Sequence, residues 1–392
     1  MNLNEIKNLD QKYFMNTFGE RLPVCFTEGK GIYLYDTEGN KYADFFAGIA
    51  VSALGHGNEE LATAIGSQAS RVIHTSCLYY IESQAKLAEM VVDSCCGDRV
   101  YFSNSGAEAN ECAIKLAKIY HYKKDDGKTD IITLKNSFHG RTLSTVAATG
   151  QEKYQKPYSP LVPGFSHIEI NDIDAFKNAV TPKTGAVIME LVQGESGVHP
   201  VDGEYVQTVY NYCKENDILF IDDEIQTGIG RTGKMFAYEH FGIEPDIISM
   251  AKALGGGVPI GCTCAKEFVA SAFSPGDHGG TFGGNHLATT AALTTLNIIK
   301  REKLVENAEI IGQYIKDELS KIPGVTEVRG LGLMIGAEIN VNAKEFVGEM
   351  FKEKCLVGAV GANTVRILPP LVITKDEADI LINTFKKVMN KF

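Results

Sequence analysis

Between about residue 55 and residue 285 the chain alternates short apolar runs with stretches of helical period, and this alternation limits the fold more than any other feature. Ala109, Cys112, Ala113, Leu116, Ala117 and Tyr120 recur at the spacing of one helix face. Val206, Val209, Tyr210 and Cys213 mark another helix. Between such stretches lie apolar runs at 131–134, 186–189, 218–221, 247–250 and 258–265. Strands that are apolar on both faces must be covered on both faces. The pattern therefore predicts an α/β fold with a mostly parallel sheet between helices.

The ends of the chain read differently. Gly31 to Asp36 and Lys41 to Phe45 flank a Glu38-Gly39-Asn40 turn, a hairpin pattern. Beyond Asn285, two long helical patterns (287–301 and 304–319) precede a glycine-containing strand region from Gly324 to Ile339 and a helix at 343–354. Thr374 and Glu377 spell a capping box before a last helix. We expect a large domain over 56–290 and a smaller α+β domain over 291–392, with residues 1–55 joining the smaller one.

With 44% hydrophobic and 22% charged residues, 392 residues can bury a sizeable core, which excludes disorder as the main state. A net charge of −11 disfavours a general nucleic-acid binder. Nine cysteines, two of them adjacent (Cys95, Cys96) and none in a CxxC pair, look like thiols of a reducing compartment rather than a disulfide framework or a metal site. The first fourteen residues carry two acids, Glu5 and Asp10, and lack the order of a secretory or transit signal. No run of about 18 apolar residues occurs. A cytoplasmic protein without membrane, metal or nucleic-acid partners is expected.

Three motifs carry chemistry. At 100–108 an apolar run enters Asn104-Ser105-Gly106-Ala107-Glu108, where Ser105 and Glu108 fix a helix start. Free N–H groups and a hydroxyl at such a start suit a phosphate. Further on, Asp222 and Asp223 end an apolar run, at the strand edge where α/β proteins place ligands. Gly228, Gly230 and Gly233 then spell GxGxxG, so a nucleotide-dependent oxidoreductase has to be weighed. The first glycine, however, does not directly follow the strand, and Lys234 to Tyr238 is a poor helix start, which argues against it. Last, Lys252 follows the 247–250 run and precedes Gly255, Gly256 and Gly257. A desolvated lysine is a nucleophile for carbonyls. A phosphate turn, an acid for a pyridinium nitrogen and a lysine for an aldehyde, in this order, make the arrangement that holds pyridoxal 5′-phosphate.

At this point the sequence resembles the class III, fold-type I aminotransferases. The resemblance runs over nearly the whole chain, through Asn104 to Glu111, Phe138-His139-Gly140-Arg141-Thr142, Gln193-Gly194-Glu195, Asp223 to Gly228, Ala251-Lys252, Gly280 to Asn285 and Arg366 to Leu371. It implies a seven-stranded, mostly parallel sheet and a homodimer with shared active sites. Lys252 would bind the cofactor's aldehyde carbon and move protons, and Asp223 would hold the ring nitrogen protonated. Gln226 would bond the 3′-oxygen, while Phe138 and Ile225 would enclose the ring. Ser105, Gly106 and Ala107 would bind the phosphate, joined by Thr281 of a second subunit. Arg141 and Arg366 would bind substrate carboxylates, with Glu195 masking Arg366 when it has none.

The implied reaction passes the side-chain amine of N2-acetyl-L-ornithine to 2-oxoglutarate. Ornithine, succinylornithine or 4-aminobutyrate are the alternative donors. Ile49 stands where ornithine-using members commonly have a tyrosine, and an apolar residue there fits an acylated amine better. The chain departs from the family pattern at Asp222 (usually apolar), Leu191 (usually Pro), Ser52 (commonly Asn) and His286 (commonly Pro). None of these removes a catalytic group.

Overall fold

The computed structural model describes residues 1–392. Its centre is a seven-stranded sheet with the order Arg99–Ser103, Gly261–Ala265, Ile247–Met250, Leu219–Asp223, Thr184–Met189, Asp130–Leu134, Phe165–Ile168. Six strands run parallel. Gly261–Ala265 is antiparallel to both of its neighbours. The run at 258–265 thus contributes a strand only from Gly261 onward, because Gly256, Gly257 and Pro259 belong to the turn that reverses the chain.

Period-two alternation sorts each strand between two cores. Leu219 and Ile221 pack with Ile131, Ala186 and Ile188 against Ala113, Leu116 and Ala117 of the helix Gly106–Lys124. Phe220 and Ile248 face the opposite core, with Val187, Met189 and the helices on that side. The two acids that end Leu219–Asp223 therefore part. Asp223 continues the face of Ile221, toward the helix Gly106–Lys124, and Asp222 continues that of Phe220.

Two smaller sheets flank this centre. Phe26–Lys30, Tyr33–Asp36 and Lys41–Asp44 form an antiparallel meander that Cys355–Leu356 extends in parallel, Cys355 opposite Ala43. Val325–Leu331, Met334–Ile339, Thr364–Ile367 and Gly358–Val360 form the other, all antiparallel. The last helix, Lys375–Met389, starts at a complete Thr374/Glu377 capping box. The helix His286–Arg301 runs through the position where a change of domain was expected and packs against Glu59–Arg71 and Glu82–Val92. No helix is long and apolar enough to cross a membrane.

The antiparallel strand presses close to the start of the helix Gly106–Lys124. A Cβ added at Gly261 would lie 2.2 Å from the Ser105 carbonyl oxygen and 2.5 Å from Ser103 Oγ. A backbone oxygen inside a sheet-to-helix turn has little room to yield. Gly261→Ala is therefore expected to lower the unfolding free energy by about 1–3 kcal/mol, read from urea denaturation. Gly66→Ala is the control: it lies in the helix Glu59–Arg71 and its methyl meets nothing within 4 Å. Equal midpoints for the two variants would refute the steric argument.

Candidate active site

A cavity of about 420 Å³ opens at the carboxyl ends of the parallel strands. Ser105, Gly106, Ala107, Phe138, Arg141, Glu195, Asp223, Ile225, Gln226 and Lys252 all line it. Three further candidates do not. Arg366 lies just behind Glu195, Ile49 is 40% exposed, and Thr281 is exposed on the loop before His286–Arg301. Val51, two residues past Ile49, is on the cavity wall. The reason is local: Ala47, Gly48, Ile49 and Ala50 all have positive φ, so the chain makes a left-handed turn here. Such strain is rare for a β-branched residue and tends to collect at functional sites.

The strand Arg99–Ser103 ends in the turn that starts the helix Gly106–Lys124. Ser105 Oγ accepts the Glu108 N–H at 3.2 Å, and the Glu108 carboxylate accepts the Asn104 N–H at 2.5 Å. This fixes the turn and leaves the N–H groups of Gly106 and Ala107 outside the helix's own bonding. Gly106 also brings the helix close to Ile225, whose Cδ1 would lie 2.9 Å from an added Cβ.

Asp223 is the most firmly held group in the site. Its Oδ2 accepts from Asn110 Nδ2 and bonds His139 Nδ1, both at 2.7 Å, and its Oδ1 accepts the Ile225 N–H at 3.1 Å. Asn110 is anchored in turn by Ser249 Oγ at 2.6 Å and by the His139 carbonyl at 2.8 Å. His139 Nε2 lies 3.3 Å from Thr133 Oγ1. Asp223, Asn110, His139, Ser249 and Thr133 are all buried.

Lys252 begins a short 3₁₀ turn, Lys252–Gly255, with φ at +38°. Burial lowers its pKa, Glu195 opposes that shift, and Arg366 adds to it. Glu190, also on the wall, is 5% exposed and accepts the N–H groups of Phe138 at 2.9 Å and Gly194 at 3.3 Å. Burial pushes its carboxyl up to about 7.

Two arginines stand at the cavity on different elements, Arg141 on its wall and Arg366 behind Glu195. Arg141 is exposed at the mouth, its guanidinium 3.9 Å from the centre of the Tyr154 ring. That ring meets Phe138 edge to face at 5.8 Å. Arg366, on Thr364–Ile367, is 4% exposed. Its Nη1 donates to Glu195 Oε1 at 2.6 Å and to the Gly194 carbonyl at 3.1 Å. Burial resists ionisation of Glu195, but Arg366, aided by Lys252 and Gln226, holds the carboxyl below its ordinary range.

Asn110, His139, Glu190 and Tyr154 escaped the sequence reading. His139 and Asn110 stand within motifs that carry the family resemblance, but with no role of their own there. The others are scattered single residues, and only a polar residue on a helix with little exposed surface could have pointed to Asn110. The GxGxxG glycines serve packing. Gly230 abuts Val305 and Leu371, and Gly233 abuts Glu309. Only the four-residue helix Tyr238–Phe241 follows, and it does not open at the glycines as a dinucleotide site requires.

The family model described as "Aminotransferase class-III" matches residues 14–389. The chain belongs to the class III aminotransferases. It is 46% identical over 391 residues to the acetylornithine aminotransferase of Methanocaldococcus jannaschii, covering 98% of each chain. Among solved structures it superposes on the ornithine aminotransferase of Toxoplasma gondii ME49 with a TM-score of 0.94 at 31% identity, covering 100% of this chain and 97% of that one. The acetylornithine aminotransferase of Elizabethkingia anophelis gives 0.89 at 30%, with 100% of both chains covered.

This class III aminotransferase is a fold-type I enzyme, and its cofactor is pyridoxal 5′-phosphate. The cavity fits that group in its own terms. It has a helix start with free N–H groups, a braced carboxylate, a desolvated lysine, and a Gln226 whose buried Oε1 has no partner within the protein. Leu191 is fully buried in the main core, and His286 Nε2 lies 3.1 Å from Thr75 Oγ1, so both departures are accommodated by packing.

Asp222 is fully buried, and neither carboxylate oxygen meets a donor. Burial, and then the neighbouring Glu224, raise its pKa well above the ordinary range. The folded protein thus keeps a proton that the unfolded chain loses above about pH 4. The stability this contributes is complete below that pH and is lost as pH rises toward the folded pKa. Asn retains the shape and removes the titration. Asp222→Asn should flatten the fall of stability with pH by up to about 1.4 kcal/mol per pH unit, measured by urea unfolding across a pH series. An unchanged slope would mean that Asp222 is ionised in the fold.

Proposed function

We propose that the enzyme transfers the side-chain amino group of N2-acetyl-L-ornithine to 2-oxoglutarate, giving N-acetyl-L-glutamate 5-semialdehyde and L-glutamate, a step of arginine biosynthesis. The observation that carries this reading is the pairing of Arg366 with Glu195 behind the cavity, while Arg141 stands unpaired by any carboxylate at its mouth. Such a site takes two substrates with a different number of carboxylates near the reacting carbon. The similarity to acetylornithine aminotransferases supports the donor. So does the apolar Ile49, beside Val51 on the wall.

Bound pyridoxal phosphate supplies an aldehyde that captures amines and a ring that takes up the electron pair left at the substrate carbon. The residues around it divide the remaining work. Ser105, Gly106 and Ala107 bind the phosphate at the helix start, where the dipole favours an anion. Asp223 keeps a proton on the ring nitrogen, and its Asn110 and His139 bonds fix the carboxylate in place beforehand. Gln226 orients the 3′-oxygen, and Phe138 and Ile225 enclose the ring. Lys252, its amine pKa lowered by desolvation so that it gives up its proton readily, carries the proton to and from the substrate carbon.

Arg141, stacked on Tyr154, holds the carboxylate far from the reacting carbon. Arg366 takes the near carboxylate of glutamate or 2-oxoglutarate. Glu195 neutralises Arg366 when the donor has none there, since an unpaired buried cation is costly. We further propose a cytoplasmic homodimer in which Thr281 reaches the phosphate bound by the second copy. The exposure of Thr281 and its neighbour Phe282 in the single chain fits that arrangement.

A panel of donors with 2-oxoglutarate, with product identification, tests the substrate. Acetylornithine should exceed ornithine and 4-aminobutyrate in kcat/KM by at least about tenfold, roughly 1.4 kcal/mol; ornithine in first place would overturn the assignment.

Glu195→Ala tests the pairing. It should slow the acetylornithine half-reaction by about 10–100-fold, or roughly 1.4–2.7 kcal/mol, and spare the glutamate half-reaction in single-turnover spectra. Equal losses in both would leave Glu195 only a bracing role.

A further inference from the structure

The adjacent cysteines Cys95 and Cys96 and the Cys262-x-Cys264 pair play no part in the transamination site, yet the sheet brings them together. Cys264 lies in the middle of the antiparallel strand, opposite Val100 and Ile248. Cys95 lies in the connection that leads from the helix Glu82–Val92 to Arg99–Ser103. The two are 169 residues apart in sequence, and their sulfurs are 3.5 Å apart. Both sulfurs are carried on fixed backbone. The Asp98 N–H donates to the Ala265 carbonyl at 2.9 Å, and the Cys95 N–H to that of Val92 at 3.3 Å. Gly97 lets the connection lie this close, since a Cβ there would sit 2.4 Å from Cys264 Sγ.

The two adjacent cysteines are not equivalent. Cys96 is turned away, its N–H on Tyr238 Oη at 3.0 Å and its Sγ 3.6 Å from the Pro245 carbonyl. Burial pushes its thiol up to about 12. Cys95 is half-buried and faces Cys264, which is wholly buried. The hydrogen bond with Cys264 lowers the Cys95 pKa against the opposing effect of burial. The pair therefore has a half-buried thiolate candidate and a shielded thiol behind it, the order found in reversible thiol oxidation.

We propose that Cys95 and Cys264 form a reversible oxidation site whose reagent is a hydroperoxide and whose product is an intrachain disulfide. The Cys95 thiolate attacks the peroxide oxygen, forming an S–O bond as the O–O bond breaks and hydroxide leaves. The Cys264 sulfur then attacks Cys95 sulfur, forming the S–S bond and expelling the second oxygen as hydroxide, with its thiol proton lost to water. Two thiols and one hydrogen peroxide give one disulfide and two waters. The bond ties the connection before Arg99–Ser103 to the strand Gly261–Ala265, both of which lead to the Ser105 turn.

The test treats the cofactor-loaded enzyme with graded hydrogen peroxide and maps cysteine peptides without reduction. Exposed Cys77 serves as the internal measure of dose. A Cys95–Cys264 linked peptide, lighter by about 2 Da than its two parts, should appear at or below the dose that half-oxidises Cys77, and dithiothreitol should abolish it. Cys96→Ser should leave the link intact. Cys264→Ser should stop Cys95 at a sulfenic acid that dimedone traps. Linkage of Cys95 to Cys96 or Cys262, or no linked peptide when Cys77 is fully oxidised, would overturn the proposal.

Discussion

The site depends on one carboxylate at the end of a central strand. Leaving a charge in the interior without partners is expensive, so a buried Asp223 has to be met by donors from the surrounding elements. Here they come from the helix Gly106–Lys124 and from the segment after Asp130–Leu134, through Asn110 and His139. Ser249, on the next strand, holds Asn110, and Thr149 Oγ1 accepts the His139 N–H at 2.9 Å. The network thus locks three strands and a helix to a single geometry at the edge where the cavity opens. A fully satisfied buried polar network of this kind rigidifies its surroundings more than separate pairs would.

Direction and partner choice lie beyond what a single sequence displays, and the residues illustrate where the boundary falls. The strand ends were legible because an apolar run followed by Asp222-Asp223 or by Lys252 breaks pattern in a way that only a strand edge explains. The start of the helix at Ser105 was legible because Ser and Glu at the right spacing have a local, pairwise use. Asn110 was not, because its partner lies 113 residues away. The reversal of Gly261–Ala265 was also hidden, since an apolar run reads alike in either direction. Glu190 and Tyr154 act on groups brought to them by folding. The family resemblance pointed to Arg141, Arg366 and Glu195 together, but no spacing in the chain reveals that Arg366 sits behind Glu195.

Strain is concentrated on one side of the cavity. The left-handed turn from Ala47 to Ala50 precedes Val51 on the wall, and the Leu368 N–H donates to the Phe45 carbonyl at 2.8 Å just before it. The wall beside Lys252 is therefore built by the N-terminal meander and tied to the segment that follows Arg366. Lys252 itself has positive φ. Neither conformation would persist in an isolated segment, because each costs about 1–3 kcal/mol and depends on packing by distant parts of the chain.

The antiparallel strand has a consequence for how the enzyme comes into being. By returning between Ile247–Met250 and Arg99–Ser103, it sets the Ser105 turn beside a segment made more than a hundred residues later. Contacts of that separation form slowly, since loop closure must precede any gain from pairing. On the ribosome, the strands made before it emerge without this neighbour, and the Ser105 turn stays uncovered until Gly261–Ala265 has been made. A chain arrested before Gly261 thus holds every residue of the Ser105 turn but not the strand that braces it.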